Sequence, residues 1–521
     1  MFTKSARMLL LILTAFLIPA CTALPTLVQR ESSVAFNASV ETYLGRLFAP
    51  HSREYSGKSG IQVLDKGRDA LQLRMALLEM AERAVDLQYY IWNSDYSGRL
   101  LAQRVIEAAD RGVRVRLLLD DFNVNDRDEP LVAMDAHPNI EVRIYNPNAN
   151  RNGLAKWLSL IGDFGRLNQR MHNKSFVVDG SAAIVGGRNI GDEYFDLGEE
   201  FNVRDRDLLA VGPIVGEISQ GFDAYWNSQR SYPVDTIASD SPDPSKIQAM
   251  QSDLLTYVKN HADPDYPLPT DRSTSLSILE TWRSELIWAA ATALFDQVRA
   301  PEATDSEKRK QLAQVLTNMA QQTESEVLIE SAYLILGDEG TKLLEELTGR
   351  GVRVRALTNS LASNDLTTNH AGYARRRQQM LENGIDLYEF RPDAASCEHL
   401  IDVSSRCEEG NIFGLHAKSM VFDQTAVFVG SFNLNLRSVY LNSELGLLVY
   451  SPELASRIAA DIKENMRYEN SWRVVLDDTG NPLWIGRENG ELVSYSKEPA
   501  TGFWRRLKSG LFSLFPVEKY L

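Results

Sequence analysis

A chain of 521 residues is long enough for two core-bearing units, and its 44% hydrophobic content is ordinary for a globular protein. The net charge of −15 speaks against a nucleic-acid partner held through its phosphates, which needs a basic face, although a local basic groove stays open. Three cysteines, with no CxxC and no His/Cys cluster at ligand spacing, point to no metal and no cofactor.

Lys4 and Arg7 precede an apolar run from Met8 to Ile18 that ends in Ile18-Pro19-Ala20-Cys21. A basic start, a short apolar stretch and a small residue before the break describe a secretory signal over residues 1–20, too short for a comfortable membrane span. The cysteine directly after Ala20 resembles a bacterial lipobox, which makes Cys21 the expected lipidated first residue; an uncleaved anchor, or a signal with an incidental cysteine, is the alternative. The expected product is a membrane-anchored lipoprotein facing the periplasm, on the inner or the outer membrane. Residues 21–60 read as a tether.

Apolar residues at helical spacing (Leu71, Leu73, Ala76, Leu77, Met80) predict an amphipathic helix over Arg68–Ala84. A strand over Val85–Trp92, a helix over Gly98–Ala109 and a strand over Val113–Leu119 follow. This β-α-β rhythm predicts a sheet flanked by helices. The apolar segment Gly153–Gly165 reads equally as a buried loop or as a lipid-facing lip through Trp157, Leu158, Leu160 and Ile161. The order then repeats: Val327–Ile335 echoes the first strand, and Arg111–Arg116 (RGVRVR) recurs at Arg350–Arg355. The chain is one internal duplication. It divides into a first half over 61–235, a linker with helices over 236–322 (the clearest from Thr304 to Gln322, with Thr304 and Glu307 as a capping box), a second half over 323–470 and a C-terminal extension over 471–521. In that extension, apolar bulk beside Arg505, Arg506 and Lys508 suits an interfacial helix or one packed on the domain. An oxidising compartment permits a disulfide between Cys397 and Cys407; two free thiols are the alternative.

The duplication is sharpest in MHNKSFVVDGSAAIVGGRN (Met171–Asn189) and LHAKSMVFDQTAVFVGSFN (Leu415–Asn433). A His is followed at +2 by Lys, at +7 by Asp, at +14 by Gly and at +17 by Asn. The two sets are His172, Lys174, Asp179, Gly186, Asn189 and His416, Lys418, Asp423, Gly430, Asn433. Two apolar runs around a polar turn predict a buried hairpin, on which each His and its Lys share a face. This double motif resembles the signature of the phospholipase D superfamily. The wording around it (Asp86–Leu101, Arg111–Asp121, Asp163–Phe176, Gly186–Phe195, His370–Arg377, Lys497–Trp504) is most similar to bacterial cardiolipin synthases of the C type. The resemblance implies an α/β protein of two similar α-β-α sandwich halves, packed by pseudo-twofold symmetry around one shared active site.

Breaking a phosphodiester without metal needs an attacking group, a proton donor for the leaving alcohol and cations on the phosphate oxygens. Two facing copies supply all three: one His attacks and becomes a phosphohistidine, and the other protonates the departing alkoxide. Lys174, Lys418, Asn189 and Asn433 then hold the non-bridging oxygens. Asp205 and Glu444 align after the two motifs as the acids that orient each His, with Asp207 competing; which acid serves which His stays open. Asp179 and Asp423 complete the motif and read more as backbone clasps. His370 is a substrate-side candidate, whereas His51, His137, His261 and His399 read as solvated or packing residues. The resemblance implies phospholipid substrates at a membrane surface, no nucleic acid, and a phosphatidyl transfer from phosphatidylethanolamine or phosphatidylglycerol to phosphatidylglycerol. A need for an accessory protein stays open. Rival readings are a phospholipase D that transfers to water, a periplasmic nuclease and a non-catalytic binding relic.

Overall fold

The computed structural model describes residues 24–25, 28–124, 128–151, 156, 159, 162–238, 243–299, 310–408, 410–513 and 518–520. The signal, Cys21, Trp157, Leu158, Leu160, Ile161 and the Thr304/Glu307 capping box lie outside them. The first half contributes strands β1 (Ser59–Leu64), β2 (Ala84–Tyr89), β3 (Arg114–Asp120), β4 (Ile140–Tyr145), β5 (Ser175–Val178), β6 (Ala182–Gly186), β7 (Phe201–Arg204), β8 (Asp207–Val211) and β9 (Ser231–Pro233). The second contributes β10 (Ile287–Phe295), β11 (Glu326–Ser331), β12 (Arg353–Asn359), β13 (Asp386–Phe390), β14 (Ile412–Leu415), β15 (Lys418–Phe422), β16 (Ala426–Gly430), β17 (Leu445–Tyr450), β18 (Ser471–Leu476), β19 (Pro482–Glu488) and β20 (Glu491–Tyr495).

The pairings run β9-β4-β3-β2-β5-β6-β8-β1 in one half and β10-β17-β16-β15-β11-β12-β13-β18-β19-β20 in the other. From β1 and β10 outward the two orders match strand for strand, with β2-β3-β4 and β11-β12-β13 parallel. β1 and β10 pair antiparallel through Ser59↔Ala289, Gly60↔Trp288 and Ile61↔Ile287, so the two sheets join at the pseudo-twofold. Helices over Gly67–Glu79 and Tyr96–Asp110 bury an apolar stripe on one face of the first sheet; Asp95 caps the second of them by accepting from Gly98 N. The opposite faces of both sheets share one core, in which Val63, Val185 and Leu208 meet Val427, Leu447 and Val449 beside helices Ile214–Trp226 and Pro452–Asn465. This is the expected architecture of two sandwich halves.

Two boundaries differ from the sequence reading. Strand β10 lies inside the stretch expected to be a linker. Its alanine-rich sequence has little intrinsic preference for a strand, but it is hydrogen-bonded to β1 at one end and along β17 at the other, and pairing overrides propensity. The helices expected around it are present at Pro244–His261, Arg272–Ser284 and Gln311–Gln322. The extension expected from residue 471 begins instead as β18, which pairs with β13 and carries β19 and β20 onto the same sheet.

Buried charge also ties the halves together. Arg204 and Arg206 of the first half reach Glu330 of β11 at 3.1 and 2.6 Å. Both also reach Asp461, and Arg206 returns to Asp65 at 2.7 Å. Removing one acceptor from such a network leaves buried guanidinium charge under-compensated, which costs roughly 3–5 kcal/mol. Glu330→Ala is therefore expected to lower unfolding stability by about 3 kcal/mol in a denaturant titration; a loss under about 1 kcal/mol would show that the network contributes little.

Candidate active site

Each motif hairpin places its His at the mouth of β5 or β15 and its Asp at the far turn. Asp179 adopts φ 50° and accepts from the backbone N–H of Glu82, Arg83 and Ala84. Asp423, at φ 49°, does the same for Glu324, Ser325 and Glu326. Both carboxylates clasp the start of the neighbouring strand. They sit at the opposite end of the hairpin from the His, as the reading of backbone clasps expects. The motif glycines allow close strand approach: a Cβ on Gly430 would lie 2.5 Å from Gly446 Cα.

The histidines are positioned across the pseudo-twofold. β7 pairs in parallel with β14, the strand that ends one residue before His416, and His416 N donates to Arg204 O at 2.7 Å. In the mirrored arrangement Met171 bridges to Ser443, and His172 N donates to Ser443 O at 2.9 Å. The next residue on each strap is the acid. His172 Nδ1 lies 2.8 Å from Glu444 Oε2, and His416 Nδ1 lies 2.5 Å from Asp205 Oδ2. Each half thus supplies the carboxylate for the other half's imidazole. Asp207, the rival of Asp205, instead pairs with Arg74 at 2.8 Å. Ser431 Oγ and Ser438 Oγ donate to Glu444 at 2.5 and 2.7 Å. At the place of Ser431 the first half has Gly187, where a Cβ would lie 2.1 Å from Asp205 Oδ1.

An ionised carboxylate only accepts, so Nδ1 of each ring carries the proton and Nε2 presents a lone pair. Burial pushes His172 down to about 4 against the pull of Glu444. Burial and then Lys418 hold His416 below the ordinary histidine value. Burial opposes the charge on Glu444 and Asp205, but the imidazole and its hydrogen bond, with the nearby Lys174 for Glu444 and Lys418 and Arg188 for Asp205, together hold both below the usual carboxylate range. Lys174 and Lys418 are buried, each Nζ donating to the carbonyl of the His two residues earlier. Burial pushes Lys174 down to about 7 and Lys418 to about 8.

Both histidines and both motif asparagines open into one cleft of about 530 Å³. Asn189 is held between Ile91 N and Tyr194 OH at 3.3 and 3.1 Å; Asn433 Oδ1 is buried with no hydrogen-bond partner among the described residues. Tyr90 and Tyr194 set their rings edge-on to His172 and His416, with centroids 5.0 and 5.1 Å apart. Sequence reading missed both tyrosines, which lie outside the motif spacing. Exposed Phe122, Phe164 and Leu366 line the same cleft. His370 does not reach it: fully buried, it turns to Glu498 at 3.1 Å, while its neighbours Thr368 and Asn369 line the cleft. His137 pairs with Asp110, and His261 stacks on Tyr257; His399 is exposed. Cys397 and Cys407 are joined by a disulfide. Among the described residues no group of three or more His, Cys, Asp or Glu is arranged to hold a metal.

The family pattern described as "Cardiolipin synthase, PLD-like domain" matches twice, over residues 75–226 and 316–466. Cardiolipin synthase C of Escherichia coli (strain K12) is 38% identical over 90% of this chain and 98% of its own length. The major cardiolipin synthase of Bacillus subtilis (strain 168) is 25% identical over 83% of this chain and 73% of its own. Among solved structures, phosphatidylserine synthase of Haemophilus influenzae Rd KW20 shares the fold, with a TM-score of 0.53 at 15% identity over 82% of this chain and 92% of that one. With the family pattern present in both halves and a relative this similar along nearly its whole length, the chain belongs to the cardiolipin synthase family of phospholipase D-like proteins.

Proposed function

We propose that the chain is a phosphatidyltransferase that makes cardiolipin, taking a phosphatidyl group from phosphatidylethanolamine or phosphatidylglycerol and passing it to the terminal hydroxyl of phosphatidylglycerol. The observation that carries this reading is the pair of crossed His–carboxylate couples facing one cleft whose wall includes exposed Phe122, Phe164 and Leu366. One imidazole Nε2 attacks phosphorus, and the bond from phosphorus to the head-group oxygen breaks. The other imidazole protonates that oxygen, leaving a phosphohistidine. The acceptor hydroxyl then gives its proton to the second imidazole and attacks phosphorus, releasing the first. Glu444 and Asp205 keep the rings aligned and support the positive charge each carries in turn. Asn189, Asn433 and the two buried lysines meet the charge building on the non-bridging oxygens.

A lipid substrate requires contact with a bilayer. Helix Phe503–Phe512 leaves Phe503, Trp504, Leu507 and Leu511 exposed beside its basic residues, and Arg505 donates to Asn364 O next to the cleft. The basic start, apolar run and Ile18-Pro19-Ala20-Cys21 support anchoring through lipidation of Cys21 after signal cleavage, with the enzyme on the periplasmic side; no described helix is long and apolar enough to cross a membrane. Radiolabelled palmitate is expected to enter the wild-type protein and not Cys21→Ala; an equal label in both sinks the anchor.

In cells lacking other cardiolipin synthases, lipid mass spectrometry is expected to find cardiolipin with the wild type. His172→Ala and His416→Ala should each lower it at least about a thousandfold while the protein stays folded. Phosphatidic acid rising without cardiolipin would move the reading to a hydrolase, and substantial activity in either variant would sink the two-His scheme. The pH dependence has a defined sign. Lys174 and Lys418, at about 7 and about 8, lose their charge as pH rises, and the acid imidazole loses its proton in the same direction. In initial-rate assays kcat/KM is thus expected to fall between pH 7 and 9; a profile flat over that range counts against cationic phosphate binding by these lysines.

A further inference from the structure

Arg437 differs from the buried arginines whose charge a nearby carboxylate neutralises. Arg74, Arg116, Arg206 and Arg377 each meet a carboxylate within 3 Å. Arg170, the other cation of the cleft wall, meets Asp120 at 3.1 Å. Arg437 lines the same cleft as both motif histidines, but its guanidinium donates only to neutral oxygens: Asn168 Oδ1 at 2.8 Å, Asn168 O at 3.2 Å and Tyr520 O at 3.2 Å. No carboxylate lies within 4.0 Å of it among the described residues. Burial works against its charge, so an anion entering the cleft would relieve a cost that the protein alone leaves standing.

The duplication makes the asymmetry plain. Arg437 stands twenty-one residues after His416, and the residue twenty-one after His172 is Glu193. Glu193 faces Asn93 and does not line the cleft. One wall of a nearly symmetric cleft therefore carries a fixed, uncompensated cation with no counterpart on the other. The reacting phosphate is already served by the lysines and asparagines of both motifs, which are symmetric. A second anion is what the extra guanidinium fits.

We propose that Arg437, aimed by Asn168, is a specificity residue that holds the phosphate of the acceptor lipid, selecting an alcohol that carries a phosphodiester at the other end of its glycerol. This rests on the phosphatidyltransferase reading. It gives the enzyme a physical means to prefer a phospholipid acceptor over water or a neutral alcohol, because those leave the guanidinium without a partner.

The test uses the full-length protein in vesicles with labelled phosphatidylethanolamine as donor. Two acceptors are compared: phosphatidylglycerol, and 1-monoacylglycerol, which offers the same terminal hydroxyl and a lipid tail without a phosphate. The readout is the ratio of kcat/KM for the two acceptors. Arg437→Ala is expected to lower that ratio on the order of tenfold or more, mostly through KM for phosphatidylglycerol. Arg437→Lys, which keeps the charge but loses the planar fork, is expected to lie between. A ratio unchanged in Arg437→Ala overturns the inference, as does an equal loss with both acceptors in Arg437→Ala and Arg437→Lys, which would mark a structural role. A wild type that transfers to neither acceptor overturns the phosphatidyltransferase reading itself, so the two failures are distinguishable.

Discussion

The structure turns on the exchange of carboxylates between its halves. Glu444 holds His172 and Asp205 holds His416, each across the pseudo-twofold. Neither half alone contains an oriented imidazole. The exchange is possible because the strap after each motif runs beside the other motif, pinned by backbone bonds from His172 to Ser443 and from His416 to Arg204. The price of drawing so much charge into one interface is met by the same straps: Arg204 and Arg206 flank Asp205 and bind Glu330 and Asp461 of the opposite half. Fold and chemistry therefore share one set of contacts, and loosening the interface would misplace the rings.

Burial sets the protonation states that these contacts then use. Away from water the imidazoles stay neutral with Nε2 free, and the buried lysines sit close to their titration range. A negatively charged diester reverses that balance, since it favours the protonated lysines and a protonated imidazole at the moment they are needed. The histidines and lysines thus supply cationic capacity that a bound anion calls up, whereas Arg170 and Arg437 on the cleft wall are charged throughout.

The duplication is closer in backbone than in side chains. Strand orders and registers correspond between halves, and the two motif Asp residues clasp equivalent strands. The side chains at equivalent positions do not correspond: Ser431 takes the place of Gly187, Ser438 that of Tyr194, and Arg437 that of Glu193. A symmetric centre suits a phosphoryl group that is attacked from one side and released from the other. Asymmetric walls suit two different alcohols in those two places.

Much of this was legible in residue order, because the features concerned are local. Spacing fixed the two hairpins, the facing His–Lys pairs, the β-α-β rhythm and the acids following each motif. The sequence could also favour Asp179 and Asp423 as clasps, since an Asp between two apolar runs sits in a turn. Three kinds of feature were decided only by the tertiary structure. Which acid serves which His depends on each strap lying beside the other half's motif, which brings together Asp205 and His416, 211 residues apart, and His172 and Glu444, 272 apart. The strand Ile287–Phe295 exists because β1 and β17 offer it edges, against its own alanine-rich preference. His370 is buried against Glu498 and the tyrosines Tyr90 and Tyr194 flank the rings because distant segments pack there. Sequence determines what is set by near neighbours along the chain; long-range pairing, with the burial and electrostatics it creates, is fixed only when the whole chain has folded.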